Sequence, residues 1–569
     1  MAEQNPAMIA QAVEEAAGLF RQGRFAEAEK ICTRVLRARS DWFDALHLLG
    51  LLKLQGGKAG AACSHLEQAL KLNPASAAVM SNLGMALAAL NRDQEALAIL
   101  DRAVALMPAS VEAITNRGNV LIKLGRPADA LAAFDAALAL APGFPGTLAN
   151  RGNALAALGR FAEALAQYDA VLALVPAHAE TQLNRGSALM ALSRAAEAIA
   201  AFDRALALRP DYVKAHIGRG AARQALNQQQ EALADFERAL AIDKSNADAQ
   251  HNAALARLTL GDYRRGFEQY EWRCQRSGMP ARRRGFGKPL WLGEYPLARK
   301  RILVAAEQGL GDCIQFARYV PLLARSGASV VLEAPAPLYS LLARLEGVTT
   351  VAARGDPLPA FDVYCPAGSL PRALRTEVST IPAAIPYLRA SEERIAKWRE
   401  RIERLSSPRI AVVWSGSADH ANDRNRSLAL TQLAPLFTLK AGFASVQREL
   451  RVADAEALAR LPGLTHIGDE LADFDDTAAV VALADLVITV DTSVAHLAGA
   501  LGRPTFVLLP FCPDWRWMLD RADSPWYPTA RLFRQPAVGD WDSTIARVVE
   551  AVTRLSYPHA LPSPPQPRI

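Results

Sequence analysis

From Ile9 to Pro280 the chain divides into eight consecutive blocks of 34 residues without a gap, and no other feature constrains its fold as much. Pro74, Pro108, Pro142, Pro176 and Pro210 recur at that spacing, as do Gly50, Gly84, Gly118, Gly152, Gly186 and Gly220. A third series runs Ala28, Ala62, Ala96, Ala130, Ala164, Ala198 and Ala232. In the block Pro145 to His178, Leu148, Leu155 and Leu158 recur at helical spacing and Gly159 ends the helix. Ala164, Leu165, Tyr168, Val171 and Leu172 form the apolar stripe of a second helix, which Pro176 stops. Gly152 and Ala164 predict that the two helices approach closely. One such hairpin cannot bury its own apolar face, so neighbours must stack, giving a superhelix with a concave groove.

The period and its two small positions resemble the tetratricopeptide repeat, and residues 1–280 are read as such an array. Asn82, Asn116, Asn150, Asn184 and Asn252 share one place in their blocks, with Leu48 and Gly218 interrupting the series. The resemblance implies that this place lies on the inner helix and faces the groove. An amide side chain both donates and accepts, so a ladder of them can hold an extended peptide without reading its sequence. Asparagine is also common at this place in such repeats, and both readings stand. The last block departs from the pattern: Ala254 replaces the glycine and Gly266 the alanine, and Tyr270 and Trp272 stand where small or aliphatic residues would sit. It is expected to cap the stack and to dock on the domain that follows.

At 569 residues the chain predicts two or more folded units. Its net charge of +6 comes from interspersed charges of both signs, which does not imply nucleic acid. Arg282, Arg283 and Arg284, followed by Arg299, Lys300 and Arg301, read as a solvated linker over 281–299. Six cysteines without a C-x-x-C pair predict reduced thiols in a cytoplasmic protein. The start lacks the basic and apolar regions of a secretory signal, and no apolar run is long enough to cross a bilayer.

Beyond Trp291 the pattern becomes alternating strands and helices. Residues 301–308 and 328–334 read as buried parallel strands, each followed by a helix, to about Ala324 and through Leu345 respectively. Short strands follow near Val351 and Val363, then a connecting helix over 384–405. A second sheet is predicted from 409–416, 443–447, 486–493 and 505–510. This is the alternation of doubly wound sheets. The expected fold class is an all-α repeat superhelix followed by an α/β GT-B fold with two Rossmann-like lobes, 300–405 and 406–555. The proline-rich tail, 556–569, is expected to be disordered.

Three motifs carry chemistry. In the first, a strand ends at Asp491, Thr492 and Ser493 make a turn, and a helix runs through His496. Such a strand–turn–helix offers free backbone N–H groups and a positive dipole end to a diphosphate. His496 either contacts phosphate or satisfies the core. In the second, Gly309 and Gly311 form a turn after the first strand, with Asp312 at the helix start as a proton acceptor or as a cap. In the third, Ser415, Gly416 and Ser417 follow a strand, and Arg424 and Arg426 supply positive charge for a departing phosphate. Asp473-Phe474-Asp475 spells a metal motif but leads into a helix, so no metal is expected. The aromatic run Pro513 to Pro528 reads first as packing the closing segment of the second lobe, with bordering of the donor or acceptor pocket as the alternative.

The Asp491 segment resembles the nucleotide-sugar motif of glycosyltransferase family 9, which includes heptosyltransferases, with Ser493 where that family has glycine. The resemblance implies that Asp312 is the general base toward the acceptor. It also implies that Arg426 stands for the family's lysine, with Arg424 as a second candidate, and that Glu449 contacts the donor ribose. The layout is similar to family 41 protein O-GlcNAc transferases. The implied activity is transfer of a sugar from a nucleotide diphosphate sugar of unidentified base, with inversion, without metal or cofactor, and with the repeats binding a protein acceptor or partner. The alternatives are a non-catalytic scaffold with a degenerate fold, and a transferase acting on a glycan or lipid-linked acceptor.

Overall fold

A computed structural model describes residues 5–276, 284–307, 309–420 and 422–556. Arg282 and Arg283 of the basic cluster, Gln308 and the tail from Tyr557 lie outside the described residues. The chain forms two compact units, Met1–Gly218 and Arg219–Ile569, whose boundary falls inside the helix Val213–Ala225.

The first unit is a stack of helix pairs, such as Val111–Lys123 with Pro127–Leu140 and Pro145–Ala157 with Phe161–Leu174. Its glycine series has a steric cause. A Cβ on Gly152 would lie 2.6 Å from the Tyr168 ring, and one on Gly186 would lie 2.6 Å from the Phe202 ring. The paired rings are buried, so each repeat places an aromatic or leucine side chain where its neighbour helix has no side chain. Ser76 and Ser110 cap the helices Ala77–Ala89 and Val111–Lys123 by accepting from the N–H groups of Val79 and Ala113. Between repeats, Arg117 pairs with Asp101, Arg151 with Asp135 and Arg185 with Asp169. These pairs are solvent-facing and set register more than they add stability.

The second unit joins the last repeats to two parallel sheets. The first sheet holds β1 (Arg301–Ala305), β2 (Ser329–Ala334), β3 (Val348–Ala353) and β4 (Val363–Pro366), in the order β3-β2-β1-β4. The second holds β5 (Arg409–Val413), β6 (Gly442–Ser445), β7 (Leu464–His466), β8 (Leu486–Val490), β9 (Thr505–Leu509) and β10 (Ala530–Arg534). Their order, β10-β9-β8-β5-β6-β7, is that of a complete doubly wound sheet. Strand order reverses between β1 and β4 in one sheet and between β5 and β8 in the other. The fold is thus an all-helical repeat superhelix followed by an α/β region with two Rossmann-like sheets.

Several elements differ from expectation. The helix after β1 is broken into Leu310–Ala317 and Val320–Arg325, with Pro321 at the second start. The helix expected through Leu345 is two short turns, Ala336–Leu338 and Tyr339–Leu342. The connecting helix spans Glu392–Glu403. Residues of the expected linker pack on the first sheet: Phe286 and Leu290 lie against Leu303, Val331 and Tyr364.

The last repeat shares its core with the sheets. Leu258, Tyr263, Phe267 and Tyr270 belong to the same buried cluster as Ile302, Phe316, Trp515 and Trp526. Trp526 Nε1 donates to Tyr263 Oη at 3.0 Å. Arg273, 1% exposed, donates to Glu307 Oε2 at 2.7 Å and to Ser369 Oγ at 2.8 Å. It thereby fills the reversal point of the first sheet with a paired charge. Among the described residues no helix is long and apolar enough to cross a membrane.

Candidate functional site

In open α/β sheets, ligands bind beyond the carboxyl ends of the strands where strand order reverses. In the second sheet that point lies between the ends of β5 and β8, which run into Trp414-Ser415-Gly416 and Asp491-Thr492-Ser493. Thr492 caps the helix Ser493–Ala500, its hydroxyl accepting from Val494 N–H at 3.3 Å. Arg426 comes from the short helix Asp423–Arg426 and bridges the two turns: its Nη1 donates to the Asp491 carbonyl at 2.9 Å. The guanidinium lies over Gly416, where a Cβ would sit 2.9 Å from its Cζ. Ser415 Oγ and Arg426 Nε are buried polar atoms with no hydrogen-bond partner among the described residues, and Arg426 Nε faces Asp423 Oδ1 at 3.9 Å.

The helices Leu310–Ala317 and Ser493–Ala500 cross at their N-terminal ends. Gly311 makes the crossing possible, since a Cβ there would lie 2.7 Å from His496 Cδ2. His496 is buried, hydrogen-bonded through Nδ1 to Tyr527 Oη at 2.9 Å and stacked on Trp517 at 5.7 Å. Burial, helped by the charges of Arg516, Arg318 and Arg426, pushes its pKa well below the ordinary histidine value. This is a neutral core imidazole that spaces two turns.

Asp312 is carried to the same place. Its Oδ2 accepts from Gly309 N–H at 3.1 Å, and its Oδ1 accepts from Arg516 Nη2. Arg516 also donates to Asp514 Oδ1 at 2.8 Å. Burial raises the Asp312 carboxyl above its usual range, while Arg516 opposes the rise. Burial and the nearby Asp514 carboxylate push Asp491 up to about 6, against the Trp517 indole and the Arg516 and Arg426 cations.

The structure therefore brings together Gly309, Gly311, Asp312, Arg426, Asp491, Thr492, Ser493 and His496. Arg424 and Glu449 are exposed, and Glu449 accepts from Gln447 through its backbone oxygen. Asp473 caps the helix Phe474–Leu483, and Asp475 is held by Arg344 and by Ser391. Both carboxylates of that motif have structural partners.

In the first unit, Asn82, Asn116, Asn150 and Asn184 are half-buried on the first helix of their repeats. Asn116 Nδ2 donates to Ser81 Oγ and Asn184 Nδ2 to Asn153 Oδ1, each at 3.0 Å, and Asn82 Nδ2 meets His47 Nε2 at 3.0 Å. These amides tie each repeat to the one before. Asn252 is half-buried in the second unit.

Arg516 and Asp514 do not stand out in the sequence, where Pro513 to Pro528 reads first as packing and second as a border of the pocket. The packing reading fits Trp515, Trp517 and Trp526, all buried. The missed signal was an arginine and an aspartate inside a run destined for burial, where a charge requires a partner.

Comparison with known proteins divides the chain in the same way. Residues 47–111, 104–145, 115–179 and 149–213 match the tetratricopeptide repeat. Residues 469–509 match glycosyltransferase family 9 (heptosyltransferase). The chain joins a tetratricopeptide array to a glycosyltransferase-like α/β region. The second match covers β8, the Asp491–Ser493 turn, its helix and β9; Asp312 and Arg426 lie outside it. Protein FlbA of Caulobacter vibrioides is 30% identical over 321 residues, covering 52% of this chain and 53% of that protein. The chain thus spans about half the length of this curated relative. Among solved structures, a tetratricopeptide repeat protein from Parabacteroides merdae is 17% identical, covering 44% of this chain and 98% of its own, with a TM-score of 0.37. A thermophilic repeat protein of Thermus thermophilus is 25% identical, covering 32% of this chain and 99% of its own, with a TM-score of 0.29.

Proposed function

We propose that the chain is an inverting, metal-independent glycosyltransferase that moves a sugar from a nucleotide diphosphate sugar to a hydroxyl acceptor. The observation that carries this reading is a convergence. The segment matching glycosyltransferase family 9 contains the turn at the strand-order reversal of the second sheet, with Arg426 bridging that turn and Asp312 across the helix crossing.

In this reading the diphosphate lies at the turn Thr492-Ser493, against backbone N–H groups and the positive end of the helix. The acceptor oxygen attacks the anomeric carbon and gives its proton to Asp312. The bond from that carbon to the phosphate oxygen breaks, its electron pair leaves with the diphosphate, and Arg426 balances the charge that develops there. Backside displacement inverts the anomeric centre. The repeats bind a protein acceptor or partner, the asparagine ladder offering a peptide its side-chain amides, including the oxygens of Asn82, Asn116 and Asn184, whose nitrogens join neighbouring repeats.

A second reading, a non-catalytic scaffold, draws on Ser493 in place of glycine and on Asp312 serving as a helix cap. Titration with nucleoside diphosphates separates the two. Specific binding that depends on Arg426 supports the transferase, and absence of binding supports the scaffold.

A further inference from the structure

The proposed chemistry makes no use of Arg516, the cation that meets Asp312. We infer that Arg516 is a positioning residue: seated on the aromatic cluster shared by the last repeat and the sheets, it keeps the Asp312 carboxylate charged and aimed as a proton acceptor. The inference rests on the reading of Asp312 as the base.

The geometry leaves Arg516 little freedom. Its side chain is 10% exposed, and its donors are spread over Asp312, Asp514 and Gln315. Its guanidinium lies over the Trp515 ring at 4.5 Å. Trp515 in turn meets Phe267 at 5.5 Å and Tyr263 at 6.0 Å, both from the last repeat, and Trp526 at 5.8 Å. A contiguous packed path therefore runs from Tyr263 and Phe267 through Trp515 to the cation that fixes Asp312.

The chemistry requires such a partner. A carboxyl group taken out of water favours its neutral form, which cannot take a proton, and a cation in contact opposes that preference. Around Asp312 stand Arg516 and Asp514 from the segment after β9, and Arg273 from the turn that ends the last repeat. His420 approaches from the loop after β5, Cys313 from its own helix, and His496 from the crossing helix. Burial is the largest influence and raises the group, Arg516 is the next and lowers it, and Asp514 raises it. Arg516 is the only one of these cations hydrogen-bonded to the Asp312 carboxylate among the described residues.

The test compares wild type with Arg516→Met, Arg516→Lys, Asp514→Asn and Asp312→Asn. Protonation of Asp312 is followed by isotope-edited infrared difference spectra against Asp312→Asn, a readout that needs no turnover. In parallel, release of nucleoside diphosphate from UDP-, ADP- and GDP-sugars is measured across pH, with water as acceptor. Arg516→Met moves the Asp312 titration, and the acidic limb of the rate profile, up by about 1–3 pH units. Arg516→Lys restores most of the shift, and Asp514→Asn moves both downward. Affinity for the nucleotide stays within about twofold in all four. An Asp312 titration that does not move in Arg516→Met overturns the inference. So does a loss of nucleotide affinity with no movement of the limb, because Arg516 would then be a phosphate ligand. Should Arg516→Met fail to fold, Arg516→Lys and Asp514→Asn carry the test, their shifts having defined signs. If no sugar nucleotide is hydrolysed, the transferase reading fails while the infrared titration still decides the role of Arg516.

Discussion

The helix crossing at Gly311 gives the most direct structural test. A Cβ at this position would sit 2.7 Å from His496 Cδ2 and 3.5 Å from Ser493 Cα, where carbon atoms prefer about 3.5–4.0 Å. His496 cannot swing aside, because Tyr527 holds its Nδ1 and Trp517 stacks on its face. Gly311→Ala must therefore push the two helices apart by about 1 Å, at a cost of about 1–3 kcal/mol for overpacking. Better helix propensity returns less than about 1 kcal/mol of that. His496→Ala alone costs about 3 kcal/mol, since it opens a cavity and strips Tyr527 of its partner. In the double variant the added methyl enters space the ring has left, so the two costs do not add. A favourable coupling of about 1–2 kcal/mol is expected. Urea unfolding followed by tryptophan fluorescence reads it cleanly, because eight of the nine tryptophans lie in the second unit, Trp42 being the exception. A Gly311→Ala midpoint equal to wild type, or strictly additive costs, would refute the claim that this contact sets the distance between the two turns.

Further outcomes follow from other contacts in the two units. In the first unit, Gly118→Ala drives a methyl into the buried Phe134 ring and lowers the melting temperature by circular dichroism. Gly18→Ala, in a helix with open space around it, raises stability by about 0.5–1 kcal/mol. Asp491, held up to about 6 in the folded state, binds a proton more readily there than in the unfolded chain. Native stability therefore falls as pH rises from about 4 to about 6, and urea midpoints across that window show a smaller slope in Asp491→Asn. Arg273→Met leaves Glu307 and Glu271 without their buried cation and costs about 3–5 kcal/mol in the same urea assay.

The repeat array is legible in the sequence because its packing rule is local and repeated. From Gly50 to Gly220 the glycine of one helix and the ring or leucine 16 residues later meet in six consecutive pairs, as Gly152 meets Tyr168, so each of these periods states the same contact again. The main strands are legible as apolar runs bounded by turns. β7 is only three residues long, and β10, Ala-Arg-Leu-Phe-Arg, carries two charges, so neither stands out as a buried strand. The turn around Asp491 and the glycine turn before Asp312 were visible because each follows a strong strand and opens a helix. Their meeting was not, since it depends on Gly311 facing His496 from 185 residues away. Arg516 escaped for the same reason. Its partner Asp312 lies 204 residues earlier, and nothing in an aromatic segment says which charge it meets.

The measurement that bears most directly on the central claim is calorimetric titration of the whole chain with UDP, ADP and GDP, repeated on Arg426→Ala and Asp312→Asn. The account predicts that one nucleotide binds and that Arg426→Ala weakens it by about tenfold or more, the loss of about 1.4 kcal/mol from a charge-assisted contact. Asp312→Asn should leave binding within about twofold, because that carboxylate serves the acceptor. Binding of none of the three, or binding indifferent to Arg426, would contradict the account.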